Sequence, residues 1–207
     1  MLSSAVLLVL SFFTVLAKSQ FIEYKAGNSG IIIAVPHGGL LDTKMIPNRR
    51  YGTFEPDDYT KEVGEFVRAS ICRYLGKCPH LVVSNLKRIK LDPNRDIAEG
   101  AQGNSNAEKA WRNYHGLIDY AKKNHPYGVV IDLHGQSHRM NSTELGYLLS
   151  TNQLNRGIYN SDLSSIQRLA RRTRRSGREI ITGNIGKTKH FNTGFYKSKG
   201  LLVWEHS

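Results

Sequence analysis

The stretch IIIAVPHGG at residues 31–39 joins a continuous β-branched run to a histidine and two glycines. An unbroken apolar run of this kind is typical of a strand that is buried on both faces of a parallel sheet. The chain repeats the design at residues 128–135, where GVVIDLHG leads from a second buried-type strand into a histidine and a glycine. We therefore expect His37 and His134 to lie at the carboxyl ends of two strands, each entering a glycine-containing loop.

Amphipathic helical patterns lie between these strands. Apolar residues recur at helical spacing over residues 58–75 and again over residues 105–123, where Asn104 or Ser105 can cap the helix. A later apolar stripe predicts another helix around residues 163–170. The chain therefore alternates between strand and helix patterns.

Two further strands are predicted, at residues 81–83 and 201–204. The alternation predicts one α/β domain over residues 20–207, with a mainly parallel or mixed sheet and helices on both of its faces. In such a sheet the ligand site lies beyond the carboxyl ends of the strands. If the three histidine- and glutamate-bearing strands run parallel, that edge holds His37, His134 and Glu205.

The first residues have the pattern of a signal peptide. An apolar block at residues 5–16 is followed by the small residues Ala17 and Ser19, and cleavage is predicted after Ser19, which makes residues 1–19 the signal peptide. The block is shorter than the roughly 20 apolar residues that a membrane-spanning helix requires. We expect a secreted, extracellular protein without a membrane span.

Three other features of the chain are interpreted on the expectation that the protein is exported. Cys72 and Cys78 are the only cysteines, and in an oxidising compartment such a pair is normally bridged. Asn141 begins an Asn-Ser-Thr sequon, which predicts glycosylation in a eukaryotic host. The net charge of +12 favours anionic partners such as acidic glycans or acidic surfaces, and one helix face carries a basic cluster of Arg168, Arg171, Arg172, Arg174 and Arg175.

The two strand-end histidines suit a zinc site, because imidazole is a common zinc ligand and small neighbours leave room for water and substrate. A third ligand with a carboxylate is still needed. Asp58 lies just before the first long helix, where it is either a ligand or an ordinary helix N-cap. Asp57 is the neighbour that would replace it as ligand.

Five motifs in order carry a resemblance that covers nearly all of residues 20–207. The motifs are VPHGG (35–39), PDDY (56–59), RIKLDPNR (88–95), WRNYHG (111–116) and IDLHG (131–135). Together they resemble the N-formylglutamate amidohydrolase family, which is similar in fold to the zinc carboxypeptidases. Both groups place a catalytic glutamate on a late strand, and LVWE at residues 202–205 is similar to that segment.

The resemblance implies a set of roles. His37, Asp58 and His134 would hold one zinc ion per chain, and Glu205 would be the general base. The substrate's carboxylate would bind to Asn94 and Arg95, because a guanidinium can pair with both oxygens; the alternative for Arg95 is a structural bridge to Asp92 or Asp96. The resemblance further implies that Arg88 assists Arg95, that Asp132 orients a ligand histidine and that His190 donates to the transition-state oxyanion. His115 either packs between helix and sheet or takes part in catalysis.

Two functions from different classes follow. The first is a secreted zinc-dependent amidohydrolase or carboxypeptidase-like enzyme that cleaves an amide of a small carboxylate-bearing substrate. Since a signal peptide is predicted, we expect that substrate to be an N-acyl amino acid or a peptide terminus other than N-formylglutamate. The alternative is a non-catalytic extracellular binding or matrix protein that uses its arginine cluster on anionic glycans, mineral or acidic proteins. Nucleic-acid binding is not expected, because no recognised module is present.

Overall fold

The structure is a computed structural model and describes residues 20–136, 144–145 and 200–204. The predicted signal peptide and the predicted helix around residues 163–170 lie outside these residues. In chain order the elements are β1 (Ile22–Lys25), β2 (Ile31–Val35), α1 (Thr60–Leu75), β3 (His80–Ser84), α2 (Ile97–Ala101), α3 (Ser105–Asn124), β4 (Val129–Gln136), β5 (Glu144–Leu145) and β6 (Gly200–Trp204).

The strands form a mixed sheet in the order β1-β3-β2-β4-β6-β5. Its centre is parallel, because β2 pairs in parallel with both β3 and β4. The strand β1 is antiparallel to β3 at one side, and β6 is antiparallel to β4 at the other. The predicted α/β class with a mixed sheet is confirmed.

The expected convergence of His37, His134 and Glu205 depended on three parallel strands, and β6 does not meet that condition. In the antiparallel register Trp204 lies opposite Asp132, and Leu202 lies opposite His134. The end of β6 therefore points away from the carboxyl end of β4. The antiparallel direction of β6 thus gives no reason to place Glu205 beside His134. Glu205 itself lies outside the described residues.

Helices cover both faces of the sheet, as predicted, and alternate residues of the strands face each of them. On one face Ile32, Ala34 and Val82 pack with the buried side of α3. On the other face Ile33, Val35 and Leu133 pack with Val63 and Val67 of α1. Burial of both faces explains why the central strands are continuous apolar runs in sequence.

The helix boundaries follow local backbone chemistry. The Asn104 side chain accepts hydrogen bonds from the backbone N–H groups of Asn106 and Ala107, so the predicted cap of α3 is confirmed. The helix α1 begins at Thr60 and not at residue 58, because Tyr59 has a left-handed backbone with φ of 64°. The N-cap alternative for Asp58 is therefore wrong.

Two further observations complete the fold. Cys72, in the last turn of α1, is bonded to Cys78, so the predicted disulfide is confirmed. No helix within the described ranges is long and apolar enough to cross a membrane.

Candidate metal centre

Two adjacent parallel strands bring the predicted histidines together. His37 lies two residues beyond the end of β2, whereas His134 lies within β4, which continues to Gln136. The prediction that His134 enters a loop is therefore wrong, because β4 goes on pairing with β6 through this position. Both side chains are buried and their ring centroids are 5.0 Å apart. The two histidines thus form a pair at the carboxyl edge of the parallel strands.

Asp57 completes a three-residue cluster. Its Oδ2 lies 2.9 Å from His134 Nδ1 and 3.2 Å from His37 Nδ1. The three side chains offer ligand atoms that lie within 4.8 Å of one another, a spacing that one metal ion can bridge. The Asp57 backbone N–H also donates to the His37 carbonyl oxygen at 3.1 Å, which holds the carboxylate in place.

The structure corrects the preference for Asp58 as the third ligand. Asp57 is buried beside the histidines, whereas Asp58 is exposed at the surface before α1. The carbonyl oxygen of Asp57 also accepts a hydrogen bond from the Thr60 hydroxyl at 2.7 Å, which ties it to the start of the helix. Asp57 was the predicted replacement, and the backbone of this turn explains why it is the residue that faces inward.

The glycines after the histidines serve close packing. A Cβ atom on Gly38 would lie 2.6 Å from the backbone nitrogen of Lys61 and 2.7 Å from Thr60 Oγ1. A Cβ atom on Gly135 would lie 3.3 Å from the Cβ of Asp57. These glycines therefore let the start of α1 approach both strands and bring Asp57 within reach of the histidines. The predicted role of making room for substrate is not needed to explain them.

A buried carboxylate stands behind each histidine. His37 Nε2 lies 2.7 Å from Asp92 Oδ1, and His134 Nε2 lies 3.2 Å from Asp132 Oδ2. Carboxylates in this position fix the ring, and here they leave Nδ1 of each histidine directed toward Asp57, where a metal ion could bind. The predicted orienting role of Asp132 agrees with this contact. The role of Asp92 was missed, although it is the acidic residue within the RIKLDPNR motif.

Two arginines offset the negative charge around His37. Arg88 Nε donates to Asp92 Oδ2 at 2.9 Å, and its Nη1 lies 3.7 Å from Asp57 Oδ1. Arg49 Nη2 lies 3.7 Å from Asp92 Oδ2, and its guanidinium also donates to the Thr53 carbonyl oxygen. The centre is therefore a chain of alternating charges in which each carboxylate has a partner of positive charge or a histidine.

These contacts shift the pKa values of the cluster. Burial alone would raise the pKa of Asp57, but hydrogen bonds from His134 and His37 outweigh it and hold the pKa far below its usual range. Burial likewise opposes ionisation of Asp92, and its bond to His37 together with Arg88 holds that pKa low. For His134 burial would lower the pKa, but the bonds to Asp132 and Asp57 raise it to about 9. The raised pKa of His134 favours its imidazolium form, which would pair with the Asp57 carboxylate at 2.9 Å.

The predicted substrate-binding residues lie around this centre at different depths. Asn94 Nδ2 is 3.3 Å from His134 Nε2, so its amide is in contact with a cluster histidine. Arg88 is largely buried against Asp57 and Asp92, whereas the side chain of Arg95 is 39% exposed. Arg95 Nη1 donates to the Asn94 carbonyl oxygen at 2.8 Å, and its Nε lies 3.3 Å from Glu99. The predicted alternative for Arg95 was an ion pair with Asp92 or Asp96. In the structure its ion-pair partner is Glu99.

His115 packs between α3 and the loop before α2. Its Nε2 lies 3.0 Å from the carbonyl oxygen of Pro93, and its ring contacts that of Trp111 in a tilted arrangement, with the centroids 3.9 Å apart. These contacts of His115, which belongs to α3, favour the interpretation that it packs the helix against the loop before α2. The remaining predicted site residues, which lie outside the described residues, are Asn141, Arg168, Arg171, Arg172, Arg174, Arg175, His190 and Glu205.

The donor set consists of two imidazole nitrogens and one carboxylate oxygen. Three protein ligands of this kind are typical of catalytic zinc sites, which keep another position open for water or substrate. The two backing carboxylates fit the same chemistry, because they hold each imidazole in the tautomer that a metal ion requires. Comparisons with protein-family models, with curated proteins and with solved structures found no match to this chain.

Proposed function

We propose that this protein is a secreted metal-dependent hydrolase of the zinc carboxypeptidase-like type, which cleaves an amide bond in a substrate that carries a free carboxylate. One observation supports the proposal above all others. His37, Asp57 and His134 converge within 4.8 Å, and both histidines are backed by buried carboxylates. A structural cluster of charges would not need each imidazole to be fixed at its second nitrogen.

The side chains of the cluster have different proposed roles, in metal binding and in ring orientation. His37, His134 and Asp57 would hold the ion, and Asp92 and Asp132 contact the second nitrogen of each ring and fix its orientation. A bound zinc ion supplies a Lewis acid and a water molecule whose pKa is lowered to about 7. Glu205 would be the general base, which accepts a proton from the attacking water and passes it to the leaving nitrogen. Its assignment rests on the family resemblance.

Arg95 is the better placed of the two predicted arginines for binding the substrate's carboxylate. Its side chain is 39% exposed, and its neighbour Asn94 contacts the cluster through His134. Arg88 is engaged with Asp92 and Asp57, so its charge serves the metal ligands. Loss of Arg95 should therefore raise KM more than it lowers kcat, whereas loss of Arg88 should weaken metal binding.

The first test is metal content by mass spectrometry on the purified mature protein, together with His134→Ala and the matched control His125→Ala. His125 ends α3 outside the cluster, so this control removes an imidazole without touching a ligand. We expect about one zinc per chain in the wild type and in His125→Ala, and less than about a tenth of that in His134→Ala. If the wild type neither contains nor takes up zinc, the hydrolase proposal fails and a basic binding protein becomes the better description.

The second test is a panel of N-acyl amino acids and short peptides, assayed with zinc-loaded protein. Glu205→Gln is the inactive control, because an amide of the same shape cannot accept the proton. Hydrolysis that persists in Glu205→Gln would assign the base to another residue. Hydrolysis of the amino acid amides as readily as of the free acids would contradict a role for Arg95 in carboxylate binding.

A further inference from the structure

The proposed carboxylate-binding pair, Asn94 and Arg95, lies in a segment at residues 92–95 that belongs to no helix or strand. The backbone N–H groups of this segment are all bonded within the fold. Asp92 donates to the Gly100 carbonyl oxygen at 3.1 Å, Asn94 donates to Asp92 Oδ1 at 3.0 Å, and Arg95 donates to the Asp92 carbonyl oxygen at 3.3 Å. Pro93 has no N–H group, and its ring fixes φ. The donor side of the segment is therefore fully satisfied.

The carbonyl oxygens of Pro93, Asn94 and Arg95 all accept hydrogen bonds from side chains. Trp111 Nε1 donates to the Arg95 carbonyl oxygen at 2.9 Å, and Arg95 Nη1 donates to that of Asn94 at 2.8 Å. His115 Nε2 lies 3.0 Å from the Pro93 carbonyl oxygen. A carbonyl oxygen can only accept, so His115 Nε2 carries a proton and donates it. Two of these three bonds come from another element of the fold.

That element is α3, which is a rigid source of donors. Trp111 and His115 are four residues apart in this 20-residue helix, so they lie on the same face. Their rings contact each other with centroids 3.9 Å apart, and Trp111 also packs against the hydrophobic core. Functional side chains are held most accurately when their supports belong to a packed helix or strand. The helix therefore holds the backbone on both sides of Asn94.

The fixed backbone determines where the two side chains of the pair lie. Asn94 Nδ2 is 3.3 Å from His134 Nε2, at the edge of the metal centre. The Arg95 guanidinium is held at two nitrogens, by the Asn94 carbonyl oxygen at Nη1 and by Glu99 at Nε. Its Nη2 has no hydrogen-bond partner among residues 20–136. A planar group that is fixed in this way loses little freedom when it binds a carboxylate.

We propose that Trp111 and His115 are positioning residues for substrate binding. They hold the carbonyl oxygens before and after Asn94 and thereby place Asn94 and Arg95 for the substrate's carboxylate. This inference rests on the proposed function, in which the pair binds that carboxylate. Both hydrogen bonds end on the backbone of the segment, so their loss should weaken carboxylate binding and leave zinc affinity unchanged.

Four variants separate the hydrogen bonds from packing. Trp111→Phe keeps an aromatic ring without the indole N–H, and His115→Leu keeps apolar volume without a donor. His115→Gln is the conservative variant, because its side-chain amide can donate to the same carbonyl oxygen. Arg112→Gln is the control on the same helix, because Arg112 is exposed and pairs with Glu108. The two loss variants, Trp111→Phe and His115→Leu, guard against one substitution that does not fold.

The first measurement is the amide order parameters of Asn94 and Arg95, from NMR relaxation of the chelator-treated protein. A rigid backbone gives about 0.85, and a flexible one gives less than about 0.6. We expect about 0.85 in the wild type, His115→Gln and Arg112→Gln, and a fall toward about 0.6 in both loss variants. Unchanged order parameters in Trp111→Phe and His115→Leu would overturn the proposal.

The second measurement is binding of N-acetyl-L-alanine, with N-acetyl-L-alaninamide as the uncharged probe, followed by the amide shifts of Asn94 and Arg95. It is made on chelator-treated and on zinc-supplemented protein. We expect the wild type to bind the carboxylate saturably, both loss variants to bind it about tenfold more weakly, and His115→Gln to stay within about threefold of the wild type. No saturable binding by the wild type, or equal affinity in both loss variants, would contradict the positioning role. Equal losses in His115→Gln and His115→Leu would rule out the hydrogen bond as the cause.

Zinc content and kinetics distinguish this inference from the proposed function. All four variants should contain as much zinc as the wild type, and a loss of zinc would contradict a selective effect on the carboxylate. With a substrate from the amide panel, KM should rise about tenfold in the loss variants while kcat changes by less than about twofold. If amides are hydrolysed with unchanged KM, this inference fails and the hydrolase proposal stands. If no amide is hydrolysed but carboxylate binding depends on Trp111 and His115, the hydrolase proposal fails and the positioning role stands.

Discussion

Asp57 is buried between two histidines, whereas Asp58 is exposed one position further along the chain. The carboxylate of Asp57 contacts both imidazole rings through a single oxygen. The two residues are adjacent and have the same side chain. Substituting each in turn therefore tests whether metal binding depends on the position of the carboxylate or only on its charge.

We expect Asp57→Asn to weaken zinc binding by about 100-fold or more, because it removes a charged ligand, and loss of a mere outer-shell partner already costs about 10- to 100-fold. Asp58→Asn is the matched control and should leave the zinc Kd unchanged. Competition with a chromogenic chelator measures both constants. Equal losses in the two variants would show that general negative charge, and not ligation, attracts the metal.

Gly135→Ala is expected to raise the zinc Kd by about tenfold. The new Cβ would lie 3.3 Å from the Cβ of Asp57, so that residue must move by a few tenths of an ångström from the histidines. Gly116→Ala is the control, since a Cβ there meets nothing within 4 Å. An unchanged Kd in Gly135→Ala would mean that the turn before α1 can adapt without losing the ligand.

At this scale the sequence predicts residue types better than exact positions. His37 and His134 follow distinctive runs of apolar residues, and the structure brings them together. The choice between Asp57 and Asp58 depends on the left-handed backbone of Tyr59, which no pattern in PDDY indicates. Asp92 was missed because its contact with His37 joins segments 55 residues apart in the chain.

Among the elements, α3 contains a glycine that neither packing nor backbone conformation requires. Gly116 lies on the exposed side of this 20-residue helix, where glycine is less favourable than alanine by about 0.5 to 1 kcal/mol. Gly116→Ala should therefore raise the free energy of unfolding by about that amount, measured by urea denaturation. Gly100→Ala gives the opposite sign, because its Cβ would collide with the carbonyl oxygen of Asp92. A loss of stability in Gly116→Ala would indicate a contact on this face.

The long elements were predictable because burial imposes a period on their residues. The stripe of α3 and the apolar runs of β2, β3 and β4 match the structure to within a few residues. The strand β1 and the helix α2, with four and five residues, are too short for a period to be recognised. The direction of β6 was not predictable, since a buried run has the same composition whether its neighbour is parallel or antiparallel.

For the molecule as a whole, the cluster predicts how stability depends on pH in the absence of metal. The folded-state pKa of His134, about 9, exceeds its unfolded value of 6.5, so its contribution is complete below pH 6.5 and is lost as the pH rises toward 9. That loss amounts to about 3 kcal/mol. Asp57 and Asp92 have lowered pKa values, so their contributions are present above about pH 4 and are lost as the pH falls further.

Urea unfolding of the chelator-treated protein between pH 3 and pH 9 measures this profile. We expect the greatest stability from about pH 4 to 6.5 and a decline on both sides. His134→Ala should remove the alkaline decline attributed to this residue, and His125→Ala should retain it. A wild-type profile that stays flat from pH 6.5 to 9 would contradict the ion pair between His134 and Asp57.

The position of β6 in the sheet has a consequence for how the chain is made. This strand lies between β4 and β5, although it follows both in sequence. A ribosome therefore completes His37, Asp57 and His134 long before residues 200–204 emerge. Until then one edge of β4 has open backbone hydrogen-bonding groups, and such an edge can pair with another chain. The sheet thus closes late in synthesis, through a contact between distant segments of the chain, and such contacts form slowly.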